Sequence, residues 1–457
     1  MRKWFFLFSL FSAISFGFAA DKSSDELVRM IVALIGNSDR EFRAAGLDKL
    51  RTSAKGTSAT QTFAAQLSKL DSDGQVALLS ALGDRRDPAA RPAVLELFAS
   101  SKNEAVRAAA IDSLANLGTA ADLPLLFKSL TSTATPEAEA AKRSLIRLTG
   151  DSISKSIAAE AKSATPAVKT SLIGILATRR AADELPAIVT AVTDDNAEVR
   201  GAAMSALGQL GRPEQIAPMV AGVLKAPRGT ERDNAERNIV QVCSRITDEN
   251  ERGTKVIEAI NTAPESERDE LLPLVGRVGG AKLIDFVVSI ATNENPARRH
   301  LGIDALSKWP DATVADNLLN IIEHAANPAE RHQAFQAFVK ICSTRDNRTD
   351  KQRLDRMKEA MKLAQTSEEQ TYVINRTRTA YDVEAVRFVL PYVDQPEFAQ
   401  IACETIVEIA HHRAVRDPHK AEFDTILDKV ISVSKDEVVI DRAQRYKRGE
   451  TWERPKK

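Results

Sequence analysis

The sequence has 457 residues, with 63 Lys or Arg and 63 Asp or Glu, so its formal net charge is zero. Without a net charge the chain has no overall field to attract nucleic acid or an anionic membrane, and we expect no nucleic-acid partner. Aromatic residues make up only 5% of the chain, although sugar-binding platforms and large ligand pockets usually depend on them. No linker rich in Gly, Ser or Pro divides the sequence, so a continuous array is favoured over separate globular domains.

The first residues have the pattern of a secretory signal peptide. Arg2 and Lys3 precede an apolar run over residues 4–18, and Gly17 and Ala19 are small residues at −3 and −1 of a cleavage site. The sequence predicts a signal peptide over residues 1–19, with a retained N-terminal anchor as the alternative. No later stretch is apolar enough to span a bilayer. We therefore expect an exported protein, periplasmic or extracellular, with no transmembrane segment after signal cleavage.

The three cysteines, Cys243, Cys342 and Cys403, are far apart in the sequence, and each lies within an aliphatic helical pattern. An odd number excludes a fully paired disulfide framework, and the spacing is not that of a metal site. Buried free thiols are therefore the expected state.

One stretch, residues 194–211, shows the helical pattern on which the chain is built. Its apolar residues recur with the 3.6-residue period of one helix face. They are Val199, Ala202, Ala203, Leu207 and Leu210. Because two of them are Ala, this face indicates a helix that packs closely between neighbouring helices.

The same pattern returns about every 32 residues. The positions equivalent to Val199 are Phe42, Val106, Glu137, Val168, Ala235, Arg268, Arg298, Arg331, Gln370 and Phe398, with a weaker match at Val76. A period of 20 to 50 residues with a helix in each unit is typical of a solenoid, in which stacking buries the apolar faces.

A second amphipathic segment lies between successive anchors. Four prolines fall at equivalent places in these segments: Pro92, Pro124, Pro186 and Pro218. Proline is tolerated in the first helical turn, where its missing N–H would have no partner. The sequence thus predicts an all-α fold, an α-solenoid of about twelve antiparallel helix pairs.

Residues 184–211, ELPAIVTAVTDDNAEVRGAAMSALGQLG, resemble a short HEAT repeat, including the variety found in phycobilisome bilin lyases. The resemblance extends over about residues 40–410. It implies that the Leu-Pro segment is helix A on the convex side and that the Val-Arg segment is helix B on the concave side.

The resemblance also implies a ladder of Arg and Asp residues stacked between units. Matching positions are Arg43 with Asp48, Arg107 with Asp112, and Arg299 with Asp304, whereas Arg200 has Ser205 in place of the Asp. We interpret such regular pairs as contacts that hold repeat to repeat, since an exposed pair contributes only about 0.2–1 kcal/mol.

The domain organisation follows from these patterns. After the signal peptide we expect a HEAT-like array over residues 20–410, with a possible kink near 343–352, where the polar stretch TRDNRTDK is followed by a longer unit. Residues 411–457 are expected to form a C-terminal capping helix pair and a basic tail, because an array needs a polar outer face on its last unit.

The sequence offers little that resembles a catalytic or metal-binding motif. Glu408 and His412 are an i, i+4 pair, with Asp417 and His419 in the next turn, but such groups at helix ends are more often solvated or capping residues. The sequence has no GxSxG motif and no phosphate-binding loop. We expect no enzyme activity, no cofactor, no metal and no catalytic residues.

The predicted function is a non-enzymatic interaction scaffold of the cell envelope, or a secreted one, which grips a protein partner or a polar polymer on its concave face. The candidate contact residues are the outward positions of the B helices: Arg107, Asp112, Asn116, Arg200, Ser205, Gln209, Arg299, Asp304 and Lys308. The alternative is an accessory subunit or a lyase-like enzyme, since a fold does not assign a function.

Overall fold

The computed structural model describes residues 20–452. Within that range the chain forms helices and no strand, and thirteen α-helix pairs follow one another, where the sequence predicts about twelve. The all-α solenoid is thus confirmed. The predicted signal peptide and residues 453–457 of the predicted basic tail lie outside the described residues.

The chain divides after Ala206 into two compact units. The division falls inside the helix Ala197–Leu210. The α-helices up to and including that one are α1 (Ala20–Ile35), α2 (Arg40–Thr52), α3 (Thr57–Ala64), α4 (Ser72–Arg85), α5 (Arg91–Ser100), α6 (Glu104–Leu117), α7 (Leu123–Ser129), α8 (Thr135–Arg147), α9 (Ile153–Ser163), α10 (Pro166–Thr178), α11 (Leu185–Val189) and α12 (Ala197–Leu210).

The second unit continues the same alternation up to a final helix pair. Its α-helices are α13 (Ile216–Lys225), α14 (Thr230–Cys243), α15 (Glu249–Asn261), α16 (Leu272–Val278), α17 (Ala281–Ala291), α18 (Pro296–Leu306), α19 (Ala315–Glu323), α20 (Pro328–Cys342), α21 (Asp350–Leu363), α22 (Ser367–Thr377), α23 (Val383–Val389), α24 (Ala399–Ala410), α25 (Arg413–Arg416), α26 (Lys420–Val433) and α27 (Glu437–Lys447).

The second helix of each pair is called its B helix; these are the even-numbered helices α2 to α24, and α27. Within each unit, successive B helices pack against one another. The polar turn before a B helix supplies its N-cap: the Asn103 side chain accepts the N–H groups of Ala105 and Val106, and Asn295 caps α18 in the same way. Such caps satisfy backbone donors that have no partner within the helix.

Three of the four prolines predicted to mark the start of a first helix lie where expected. Pro92, Pro124 and Pro186 lie in the first turn of α5, α7 and α11. Pro218 lies one residue further in, as the third residue of α13.

One anchor position is wrong. The pattern places a B helix at Arg268, but residues Glu265–Leu271 form a 3₁₀ segment and α16 begins at Leu272. The reason is Pro273, which has no N–H to donate and fits only the first turn of a helix. It starts a new helix there instead of continuing an earlier one.

The B helices approach one another closely. A Cβ atom placed on Gly276 of α16 would lie 2.1 Å from the carbonyl oxygen of Ala305 on α18, so these two backbones are in direct contact. The three cysteines are buried and unpaired, as their aliphatic surroundings predict. No helix within residues 20–452 is both long enough and apolar enough to cross a membrane.

Candidate functional site

The arginine in the first turn of several B helices joins that helix to the next repeat. The guanidinium of Arg107 contacts Glu137 on α8, and that of Arg299 contacts Glu330 on α20 at 2.8 Å. Each also donates to a carbonyl in the turn before its own helix, Ser101 for Arg107 and Asn293 for Arg299. These side chains are largely covered, so they act in repeat-to-repeat packing.

The aspartates five residues further along the same helices are not their partners. Asp112 pairs with Arg143 of α8 at 2.7 Å, and Asp304 pairs with Lys308. Asp48 likewise pairs with Arg51, at 2.9 Å. The predicted ladder does hold repeat to repeat, through Arg107 with Glu137 and Asp112 with Arg143, but the matching Arg and Asp of one helix do not contact each other. Five residues correspond to about 140° around an α-helix, which points the two side chains in different directions.

The nine predicted contact residues lie on or just after three B helices, α6, α12 and α18, and are not brought into one cluster. Arg200 is buried and donates to the carbonyls of Asp194 and Asp195. Ser205 and Gln209, on the same helix, are exposed.

A second set of arginines binds the carboxyl ends of B helices, and sequence reasoning missed it. Arg179 Nη1 donates to the carbonyls of Leu145 and Leu148, at 2.6 and 2.8 Å, at the end of α8. Arg85 makes the same contacts with the end of α2, and Arg245 with Gly208 and Gly211 at the end of α12. Burial lowers the pKa of both Arg85 and Arg179. Each cation thus satisfies carbonyls that have no partner within their own helix.

Asn116, Gln209 and Lys308 lie at equivalent outward positions near the ends of their B helices. Other repeats also carry polar residues at or near this position. In the first unit its occupants contact one another across neighbouring B helices: Arg51 donates to Asp84 at 2.9 Å, and Arg147 donates to Asn116 at 3.3 Å. In that unit, the polar side chains of these pairs are therefore already hydrogen-bonded to the neighbouring repeat.

In the second unit, Arg277, Lys308 and Lys340 lie nine or ten residues after their anchors, and Arg376 lies six residues after Gln370. The charges of Arg277, Lys308 and Arg376 all act on Lys340, and we call these four cations the cation row. They lie at or near the carboxyl ends of α16, α18, α20 and α22. The intervals between them are 31, 32 and 36 residues. The spacing that gives Lys308 as a candidate could have given Arg277 and Lys340, but not Arg376, which lies 36 residues after Lys340.

Two members of the cation row have carboxylate partners. Arg277 contacts Asp233 at 2.6 Å and Glu236 at 2.7 Å, and Lys308 contacts Asp304. Glu236 is buried; this burial raises its pKa, while Arg277 opposes the shift.

The other two members have no carboxylate within 4.0 Å among the side chains that the structure describes, which do not include those of residues 20–24, 249 and 250. Arg376 donates only to the hydroxyl of Tyr372, and Lys340 makes no side-chain hydrogen bond in the described part of the chain. Partial burial, followed by the nearby charge of Lys308, lowers the pKa of Lys340. This region therefore carries positive charge that neighbouring side chains do not neutralise.

Arg378, which directly follows α22, is a third cation in this region beside Lys340 and Arg376. Its Nε donates to the carbonyl of Asn375, but its Nη2 is buried without a hydrogen-bond partner in the described part of the chain. Burial lowers the pKa of Arg378, and the carboxylates of Glu408 and Glu404 on α24 partly oppose that shift.

Beyond the cation row, aromatic and basic side chains form a cluster near the end of the chain. The ring of Tyr381 lies 3.6 Å from that of His412, and Arg345 lies 4.3 Å from the Tyr381 ring centre. All four tyrosines of the sequence fall within residues 372–446, a local enrichment that sequence reasoning could have used.

The structure gives Glu408 and His412 separate partners. Glu408 accepts from Arg442 at 2.8 Å, whereas His412 stacks on Tyr381. Residues 20–452 contain no group of three or more His, Cys, Asp or Glu side chains placed to hold a metal ion.

Comparison with protein families identifies the repeats. The family model for HEAT repeats matches residues 60–146 and 154–239, so these residues are HEAT repeats and the predicted resemblance is confirmed there. The lyase-type variety is not distinguished by this match. No curated protein matches the chain by sequence.

Several solved structures are similar to this chain. The karyopherin Kap121p bound to the extreme C-terminus of the protein phosphatase Cdc14p is 12% identical, with a TM-score of 0.50 over 93% of this chain and 54% of that one. Kap121p bound to Ste12p gives a TM-score of 0.48 at 14% identity, covering 94% and 53% of the two chains. Human deoxyhypusine hydroxylase gives 0.24 at 15% identity, over 48% of this chain and 97% of that one. The chain thus spans about half the length of the karyopherin, and the first of these matches shows the HEAT solenoid fold alone.

Proposed function

We propose that this chain is a non-enzymatic HEAT-repeat scaffold that holds a protein partner along its B helices. The observation that carries the proposal is the cation row, which places one cation at or near the carboxyl end of each of four successive B helices in the second unit. A polar side chain repeated once in each unit offers evenly spaced contacts to an extended partner, as repeat arrays do elsewhere.

The side chains considered for catalysis, the three cysteines, Glu408 and His412, are either buried or held by neighbouring side chains. Burial raises the pKa of Cys243 and Cys342 to about 12 and that of Cys403 to about 11, so these thiols are protonated and not nucleophilic at neutral pH. Glu408 is held by Arg442, and His412 is stacked on Tyr381. These contacts favour a scaffold over the lyase-like or accessory-enzyme alternative.

The proposal includes export, which rests on the signal-peptide pattern of residues 1–19. N-terminal sequencing of the protein recovered from a secreted or envelope fraction should begin at residue 20. A mature chain that begins before Ala13 would contradict cleavage at this site.

Site-specific crosslinking tests the scaffold directly. A photoreactive phenylalanine analogue replaces Gln209 or Gln336, which are exposed on B helices, or Lys282 or Lys351, which are exposed on the first helices of their pairs. After irradiation in cells, the B-helix positions should yield a discrete protein adduct and the control positions should not.

Two outcomes would count against the scaffold. Equal adducts from all four positions would show that the B-helix face is not used selectively. Adducts that survive protease but are lost with a glycan hydrolase would identify a polymer instead of a protein.

A further inference from the structure

The cation row differs from its counterpart in the first unit in how its charge is neutralised. There, Arg51 is paired with Asp84 across neighbouring B helices. In the second unit, Lys340 and Arg376 follow each other on α20 and α22, and neither has a carboxylate within 4.0 Å among the described residues. Like charges at successive positions repel each other, so the fold alone gives no reason for this arrangement.

Carboxylates limit this basic region on both sides. Asp233 and Glu236 neutralise Arg277 at one end, and Glu404 and Glu408 lie beyond Arg378 at the other. The positive region therefore extends from Lys308 to Arg376, across three B helices. Neighbouring helices pack about 8–10 Å apart, which makes the region roughly 20 Å long.

That length selects the kind of ligand. An extended polypeptide advances about 3.3 Å per residue, so roughly six residues span the region. A long polyanion would extend beyond the region over Asp233 and Glu236, two carboxylates that share the one cation of Arg277, and would be repelled there. The zero net charge of the chain likewise provides no long-range attraction for a nucleic acid or an anionic polysaccharide.

The donors present suit carboxylates. Lys340 offers a compact ammonium group, whereas Arg376 and Arg378 offer planar guanidinium groups that can bind a carboxylate through two parallel hydrogen bonds. Tyr372 holds the Arg376 guanidinium at 3.2 Å and limits its rotation.

We infer that the surface formed by Lys308, Lys340, Arg376 and Arg378 binds a short, extended, acidic segment of a protein partner. The inference rests on the proposed scaffold function and specifies the chemistry of its partner. The carboxylates of the segment pair with Lys340 and Arg376, the two cations of the row that lack a carboxylate. Lys308 contributes more weakly because it already contacts Asp304.

Peptide binding to the purified chain tests this inference. The probe is a fluorescein-labelled eight-residue peptide of alternating Glu and Gly, followed by fluorescence anisotropy at low and physiological salt. The comparison peptide has Lys in place of Glu. The Glu peptide should bind with an affinity that falls as salt rises, and the Lys peptide should bind at least tenfold more weakly.

Variants of Lys340 and Arg376 test whether the peptide binds to the cation row. The double variant K340E/R376E should lose at least tenfold in affinity for the Glu peptide, and the milder K340Q/R376Q should lose several-fold. The matched control K282E/K351E makes the same change in net charge on exposed residues outside the B helices and should stay within twofold. Thermal unfolding of each variant establishes that it is folded before its affinity is compared.

Two results would overturn the inference. One is binding of the Glu peptide that K340E/R376E and K340Q/R376Q leave unchanged; the other is competition by short heparin fragments that is stronger than competition by unlabelled Glu peptide. If the B-helix crosslinks form but do not depend on Lys340 and Arg376, the scaffold stands and the acidic segment does not. If no crosslink forms while the Glu peptide binds as expected, the proposed scaffold function is contradicted and the acidic-peptide surface is supported.

Discussion

Arg107 on α6 donates its Nε proton to Glu137 on α8 over 2.7 Å, and so joins one repeat to the next. The same guanidinium donates to the carbonyl of Ser101 at 3.1 Å. Glu137 is buried, and hydrogen bonds from Arg107 and, at 3.1 Å, from the Ser132 hydroxyl replace those that water supplies in the unfolded chain.

Replacing Arg107 with Met should therefore lower the free energy of unfolding by about 2 kcal/mol, because a charged hydrogen bond is lost and a buried carboxylate is left short of donors. The matched control is Arg143→Met, which breaks the Asp112 pair, where both side chains are more exposed. That change should cost less than about 1 kcal/mol. Urea unfolding measures both; equal losses would show that Glu137 finds another donor.

Gly276 and Gly174 should respond to alanine in opposite directions. On α16, the added methyl group would meet the Ala305 carbonyl of α18 and force the two helices apart, at a cost of about 2 kcal/mol or more. On α10, Gly174 has no atom within 4 Å of the added methyl group, and Gly174→Ala should stabilise by about 0.5–1 kcal/mol. Thermal unfolding of the two variants compares them, and a stable Gly276→Ala variant would contradict the close helix contact.

His412 should make the chain less stable in mild acid. Burial lowers its pKa, as do the charges of His411 and Arg345, while Glu408 and Asp350 oppose the shift. A histidine with a lowered pKa binds fewer protons when folded than when unfolded. Its contribution is thus complete above about pH 6.5 and is lost as the pH falls from there toward the folded pKa.

The measurement is the free energy of unfolding at pH 7.5 and pH 5.5 for the native chain and His412→Gln. We expect the native chain to lose up to about 1 kcal/mol more than the variant, since partial exposure screens the effect. The lowered pKa of Glu408 acts in a more acidic range, because that carboxyl changes charge only below its ordinary value of 4.5. Parallel pH profiles for the two proteins would contradict the assignment to His412.

The three cysteines should be unreactive in the folded chain. Their raised pKa values and their burial leave almost no thiolate at pH 8. A colorimetric disulfide reagent should titrate three thiols per chain in urea and fewer than one in buffer over the same time. Fast reaction of one thiol in buffer would locate a repeat that opens readily.

The repeat pattern could be predicted because every B helix must present the same face to its neighbours. Small and aliphatic residues around Val199, the Asn caps and the first-turn prolines each report that constraint separately. The start of α16 could not be obtained in this way, since Leu271 and Leu272 fit the apolar pattern that follows Arg268, although Glu265–Leu271 is 3₁₀ and α16 begins only at Leu272.

The site was partly predictable. The position shared by Asn116, Gln209 and Lys308 is among the predicted contacts, and counting one repeat further gives Lys340. The sequence does not show which of these groups are already paired, because the partner of Arg107 lies 30 residues away. Arg179 was missed for a related reason: it binds carbonyl groups, and those leave no trace in residue identity.

Because of the contacts of Arg85 and Arg179, repeats of the first unit depend on their neighbours in one direction along the chain. Each of these arginines binds the helix end of the repeat before it, so every such repeat is completed by the one that follows. Shortening the chain from either side would expose an apolar stacking face, but only shortening from the carboxyl side would also leave helix-end carbonyls without their donor. We therefore expect the first unit to tolerate loss of repeats from its amino side better than from its carboxyl side.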